Sequence, residues 1–287
     1  VIVSTFLFLL LVYSIEKASL WIVNAQSKPQ AQNTPEYKPF IRTDWTDSFN
    51  NSDTLGVAAK KNWNIKWVPI KNDIVYDTVH ISTDFLGRRT TVKPTSDSTN
   101  RYALFFGCSY TYGDGVSDHE TLPSFVQSLT PTTQVYNYGY LAYSPLHMLA
   151  QLQQMDIRSD ISHSKGIAFF TLINDHVDRV IPATRWIELT LGKFPYLDHS
   201  TMTTDGIFHK KRRIYTDFIL DFQHRGIKQL LKWGYPKQHT PEHYQLVVDI
   251  IAKAKEEFKK QFDNEEFYVI IFPGNPISDK MKKQLED

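Results

Sequence analysis

From about residue 100 onward the sequence falls into a rhythm that few folds can satisfy. Short strand-like runs stand at residues 102–106 (YALFF), 134–137 (QVYN), 167–172 (IAFFTL) and 267–272 (FYVIIF). Helix-like stretches separate them at 117–129, where Asp118 is the expected cap, at 145–155, and at 241–262 with strong amphipathic spacing. Runs of four to six mostly apolar residues are too short to be helices. They are also too continuous for strands with one wet face. Strands of this kind alternating with helices require a parallel sheet covered on both sides. The expected fold class is therefore α/β, a three-layer αβα domain around a central parallel sheet. In such sheets ligands gather at the carboxyl ends of the strands. That rule brings Gly107-Cys108-Ser109, Gly139 and Asn174-Asp175 to one rim, although they lie far apart in the chain.

The N-terminal end obeys different physics. Residues 1–15 read VIVSTFLFLLLVYSI, with no charge before Glu16 and Lys17. Fifteen helical residues cover roughly 22 Å, short of the ~30 Å hydrocarbon core. No polar face at helical spacing interrupts the run, so residues 1–25 are expected to form a signal anchor or transmembrane helix. That would leave the rest of the chain facing the periplasm or the cell exterior. Residues 26–60 read as a polar linker, and 61–98 as a small β element with the runs NIKWVPI and DIVYDTVHIST. The main domain is expected over 99–287. Its last residues pass from a strand through a turn into the start of a helix, which predicts a domain that is C-terminally incomplete.

Composition narrows the partners. Lys and Arg total 32 against 31 Asp and Glu, a net charge of +1, so nothing draws a polyanion and nucleic acid is not expected. Cys108 is the single cysteine, which excludes an intramolecular disulfide and a cysteine metal cage. His239 and His243 have the i,i+4 spacing of a metal pair, but Pro241 between them opens a helix and no acidic third ligand is placed. No metal or cofactor is expected. The basic run 210–213 reads as a solvated turn, with an anionic ligand as the alternative. Trp186, Phe194, Tyr196, Phe208, Tyr215 and Trp233 read mainly as core, with a ligand cleft as the alternative.

Acyl transfer needs a hydroxyl on a tight strand-to-helix turn, donors aimed at the developing oxyanion, and a base. Ser109 follows a strand directly, between glycines that relax the turn. Gly139 offers a backbone N–H at the next strand end, and Asn174 a side-chain amide at the third. His147 and His176 lie near the same rim and are the candidate bases within the chain.

These blocks resemble the SGNH (GDSL-type) hydrolase superfamily, over roughly residues 80–275. The first block stands as Gly107-Cys108-Ser109-Tyr110-Thr111-Tyr112-Gly113-Asp114-Gly115-Val116, and the stretch Ser117–Pro123 is also similar to bacterial members. The second is Asn137-Tyr138-Gly139. The third is Ile173-Asn174-Asp175, with Leu172 where glycine is usual. The resemblance implies an SGNH-hydrolase or flavodoxin-like sheet with Ser109 as nucleophile. It also implies an oxyanion hole of the Ser109 N–H, the Gly139 N–H and the Asn174 side chain, with Gly107, Cys108 and Asp175 in support. The chain departs from the pattern twice. Cys108 replaces the usual aspartate and reads as a buried structural thiol. The Asp-x-x-His block that supplies the base and its acid is not found: Asp279 has no histidine three residues on. The implied function is hydrolysis of an ester-linked acyl group, with a small acyl ester or an acylated cell-envelope carbohydrate as substrate. An O-acyltransferase of the same fold, or a carbohydrate-binding module that has lost its histidine, is the alternative. Oligomeric state is not legible.

Overall fold

The computed structural model describes residues 2–26, 49–68, 70–71, 74–75, 77–96, 98–205, 210–222, 226–273, 277 and 279–286. Helix α1 (Ile2–Gln26) comes first. Short strands follow: β1 (Phe49–Ser52), β2 (Gly56–Ala59), β3 (Asn64–Trp67), β4 (Ile70–Lys71), β5 (Ile74–Val75) and β6 (Val79–Ser82). Next come β7 (Arg101–Phe106), α2 (Ser109–Tyr112), α3 (Leu122–Leu129), β8 (Thr133–Asn137), α4 (Pro145–Gln154), β9 (Gly166–Leu172), α5 (His176–Val180) and α6 (Thr184–Thr190). The chain continues through β10 (Tyr196–Asp198), β11 (Thr203–Asp205), α7 (Lys210–Phe222), α8 (Gly226–Leu230), α9 (Pro241–Phe262), β12 (Phe267–Ile271) and α10 (Asp279–Glu286).

The chain divides into two compact units, and the split does not follow sequence order. The smaller takes α1, Pro182–Gly192 and Lys210–Gln238, and the larger takes the remaining described residues. The strands of 61–98 belong to the same unit as the sheet, and two stretches inside 99–287 leave it.

In the larger unit β12, β9, β7 and β8 form, in that order, a four-stranded sheet that is parallel throughout. This is the α/β architecture expected. The four strands, α4 and α9 lie within a residue or two of their expected positions, while α3 starts at Leu122, five residues into the expected 117–129, and the edge strand β12 leaves Tyr268 and Ile271 exposed. Ala103, Phe105 and Val135 face Leu122 and Val126 of α3. On the other face Tyr102 meets Phe262 of α9, ring centroids 5.2 Å apart. Helix α9 buries Tyr244, Val247, Ile250, Ile251, Ala254, Phe258 and Phe262, the three-and-four spacing of an apolar stripe. Each such side chain contributes about 1.5–3 kcal/mol on leaving water. Gln127 fastens α3 to β8: its Nε2 donates to Thr133 O at 2.6 Å and its Oε1 accepts from Val135 N at 2.9 Å.

Two local expectations need correction. Residues 49–59 are not linker: β1 and β2 pair antiparallel there, with Phe49 opposite Ala59. Residues 27–48 of the expected linker lie outside the described residues. Asp118 does not cap α3. Thr121 does, its hydroxyl accepting from Ser124 N at 3.2 Å, while Asp118 pairs with Arg89 at 2.6 Å. A carboxylate facing a buried guanidinium gains more there than at a helix end.

In the smaller unit α1 packs on α8, and α6 on α7. The Glu16 carboxylate of α1 accepts from the backbone N–H of Gly226 (2.5 Å) and of Ile227 (3.3 Å), closing the start of α8. Lys228 forms an ion pair with Glu188. The N-terminal helix therefore forms as expected. Among the described residues no helix is long and apolar enough to cross a membrane. Glu16 and Lys17 interrupt the apolar run.

Candidate active site at the carboxyl rim of the sheet

The register of the sheet sets the rim. Phe105 lies opposite Asn137, Phe106 opposite Phe170, and Ile271 opposite Leu172. Continued by one residue, the register sets Gly107 level with Gly139, Thr171 and Ile270, and Phe272 level with Ile173 two steps on. The three blocks read from the sequence thus leave neighbouring strands at the same end of the sheet, the third block two residues beyond the first, with strands about 4.8 Å apart.

Gly107 makes the turn. Its φ is +152°, and a Cβ there would fall 2.1 Å from Thr111 Oγ1. Only glycine permits that approach. Cys108 caps α2 through its carbonyl, which accepts from Thr111 N (3.0 Å) and Tyr112 N (2.9 Å). Its thiol is wholly buried, as a structural cysteine should be. Ser109 opens α2 and is half-buried at the rim. Among the described residues neither its hydroxyl nor its backbone N–H has a hydrogen-bond partner in the protein. Beside it Tyr110 stands 40% exposed and packs on Phe272 at the end of β12, ring centroids 4.4 Å apart. The pair makes an aromatic ledge next to the hydroxyl.

Gly139 is positioned as expected but is already engaged. Its N–H donates to Asn137 Oδ1 at 3.0 Å, and Asn137 Nδ2 donates to Thr111 O at 2.9 Å. Asn137 is wholly buried and clasps the end of β8 to α2. A Cβ on Gly139 would come within 2.8 Å of Thr111 Cβ, so the glycine is needed for this close packing. The sequence reading overlooked Asn137 as a clasp. An amide ending an apolar strand was its signal.

The end of β9 is the most unusual part of the rim. Thr171 Oγ1, Asn174 Oδ1 and His176 Nε2 are all buried, and none has a partner. Buried polar atoms are paired in all but a few cases, and exceptions concentrate where a ligand or a reaction supplies the partner. Asp175 does not cap α5 through its side chain; its carboxylate lies 4.0 Å from Arg179 Nη2. Arg179 also donates to Tyr143 O at 2.8 Å.

The two rim histidines hold different posts. His147 Nδ1 accepts from Ser144 N at 3.1 Å, and its ring stacks on Tyr143 at 4.5 Å. His176 Nδ1 accepts from Ile173 N at 3.4 Å. Burial, with the nearby charges of Arg179 and His147, holds His176 well below the ordinary histidine range, so it is neutral at pH 7. Neither is bonded to Ser109. The described histidine–carboxylate pair is elsewhere: His239 Nε2 meets Asp178 Oδ1 at 2.6 Å. This is where the expected i,i+4 pair goes. Among the described residues no three His, Cys, Asp or Glu side chains are grouped to hold a metal.

Arg89 was also missed, and an exposed-looking Arg-Arg pair gave no signal for it. It is buried. Nε bonds Asp118 at 2.6 Å, Nη2 bonds Val116 O at 2.8 Å and His80 O at 3.4 Å, and Nη1 bonds Gly113 O at 3.4 Å. Its guanidinium also lies 4.9 Å from the Tyr112 ring. Arg89 thus holds the loop that follows α2. Of the aromatics considered for a cleft, Trp186 and Phe194 are buried core while Tyr215 and Trp233 are partly exposed. Phe208 and the side chains of 210–213 lie outside the described residues.

No family model matches the chain, and no curated protein matches it.

Proposed function

We propose that the larger unit is an SGNH-type domain in which Ser109 attacks an ester-linked acyl group, which passes to water or to a sugar hydroxyl. The observation that carries this reading is the coincidence, on one strand-end level, of an unpartnered serine hydroxyl and a cluster of orphaned buried polar atoms. The Ser109 Oγ forms a bond to the acyl carbon as the ester C–O bond breaks and the alcohol leaves with the serine's proton; water or a sugar hydroxyl then takes the acyl group and returns a proton to Oγ. The Ser109 N–H and the Asn174 amide are the donors available to the resulting oxyanion. One such donor lowers a barrier by about 3 kcal/mol. The Gly139 N–H joins them only when its bond to Asn137 is exchanged. The Tyr110–Phe272 pair, its rings inclined at 51°, gives the acyl group or the sugar an apolar seat.

Deprotonation of Ser109 needs a base, and no described histidine is hydrogen-bonded to it. That observation favours a second reading, a binding module that keeps the fold without the chemistry. Treatment with a fluorophosphonate separates the two. The first reading expects one covalent adduct on Ser109, found by peptide mass and lost in Ser109→Ala. An unlabelled chain that is folded by circular dichroism overturns it in favour of the second.

A further inference from the structure

A cleft of about 410 Å³ lies in the larger unit beside the edge strand β8; Asn137 and Gly139 of the rim line it, while Ser109 and Asn174 do not. That volume is within the range of small-molecule sites. Its walls include Ala58 and Leu86 on the apolar side and Asn51 on the polar side, with Tyr138 among the lining residues. Two side chains grip Tyr138 from opposite ends. Arg88 Nη1 donates to the Tyr138 hydroxyl at 3.1 Å, and Gln151 Nε2 donates to the Tyr138 carbonyl at 3.3 Å. Burial pushes the Tyr138 phenol up to about 12, against the pull of Arg88, so it stays neutral.

Each gripping residue keeps one group unmatched. Arg88 commits Nε to Asp84 at 2.7 Å and Nη1 to Tyr138, which leaves Nη2 without a protein acceptor among the described residues. Gln151 is only 5% exposed, and its Oε1 is buried with no partner. An unmet donor thus stands at one end of a tyrosine and an unmet acceptor at the other. A buried amide oxygen without a donor is unfavourable, and a ligand's N–H or O–H recovers that loss. Asp84 pairs with Arg88, and the other charged residues lining the cleft, Lys61 and Asp160, are of opposite sign, so a charged ligand gains little. The apolar wall suits a methyl or short acyl group.

We propose that this cleft is a binding site, separate from Ser109, for an uncharged N-acylated sugar or a molecule of that size. The acyl carbonyl accepts from Arg88, a ring hydroxyl or the amide N–H donates to Gln151, and the acyl methyl meets Ala58 and Leu86. The inference stands whether or not Ser109 is a nucleophile.

Isothermal titration of the full chain with N-acetylglucosamine tests it, with glucosamine, which is cationic and lacks the carbonyl, as comparison. The expected result is saturable binding of the first and at least about tenfold weaker binding of the second. Ala58→Trp fills the cleft and abolishes binding. Gln151→Met conserves volume and weakens binding about tenfold, so it carries the test should the tryptophan disturb folding. Absence of binding to the natural chain overturns the proposal. So does binding unchanged in Gln151→Met, or binding kept in Ala58→Trp and lost in Ser109→Ala, which would place the ligand at the rim.

Discussion

Two buried polar regions of the larger unit make opposite use of the same resource. Around Arg89 every interaction is closed: one carboxylate and three carbonyls receive the guanidinium, and an aromatic ring lies against it. At the end of β9 the side chains of Thr171, Asn174 and His176 each keep a buried atom open. A closed network rigidifies, because breaking it strands several desolvated groups at once. An open one costs stability at every orphan. The contrast separates a part that holds the loop after α2 from a part left open at the carboxyl rim of the sheet.

The contrast can be broken most forcefully from the closed side. Arg89→Met leaves Asp118 and three carbonyls without their donor and is expected to cost about 3–5 kcal/mol in chemical denaturation. A loss under about 1 kcal/mol would mean the network is no tighter than an exposed ion pair.

The open side responds to pH. His176 is neutral in the folded state, with its pKa held well below the ordinary value near 6.5. Below that value the unfolded chain takes up a proton that the folded chain refuses. Stability contributed by His176 is therefore full at neutral pH and falls with acid by about 1.4 kcal/mol per pH unit. Urea titrations at neutral and mildly acidic pH should show a shallower acid loss in His176→Leu than in the natural chain. Equal slopes would mean that His176 is protonated in the fold.

The smallest effect carries the sharpest sign. Thr171→Val removes an orphaned hydroxyl without changing shape, so it should raise stability by about 1 kcal/mol while slowing fluorophosphonate labelling of Ser109. A drop in stability would show that the hydroxyl has a partner, and the two regions would cease to differ.

Much of the scaffold was readable because its signals are local. Apolar runs such as 102–106 and 167–172 are too short and too continuous to be anything but buried strands, and the stripe from Tyr244 to Phe262 declares its own face. The carboxyl-end rule then brought Ser109, Gly139 and Asn174 to one level. What stayed hidden depends on the third dimension. Whether Gly139's N–H is free turns on a side chain two residues away, Asn137, which could as well have pointed to solvent. Arg89 reads as a surface charge until Asp118 and the loop carbonyls close on it from about 25 to 30 residues away. Division into two units was equally illegible, since Pro182–Gly192 and Lys210–Gln238 carry no composition that marks them as partners of α1.

The clamp of Glu16 on the start of α8 also has a consequence in time. Its two ends are separated by 210 residues. At about 5–20 residues per second a ribosome takes roughly 10–40 seconds to deliver the second after the first. Throughout that interval α1 has no α8 to rest on, while Leu11, Ile15 and Trp21, outward-facing even in the finished molecule, offer an oily handle. Whatever shields this helix on the nascent chain must hold it until α8 arrives.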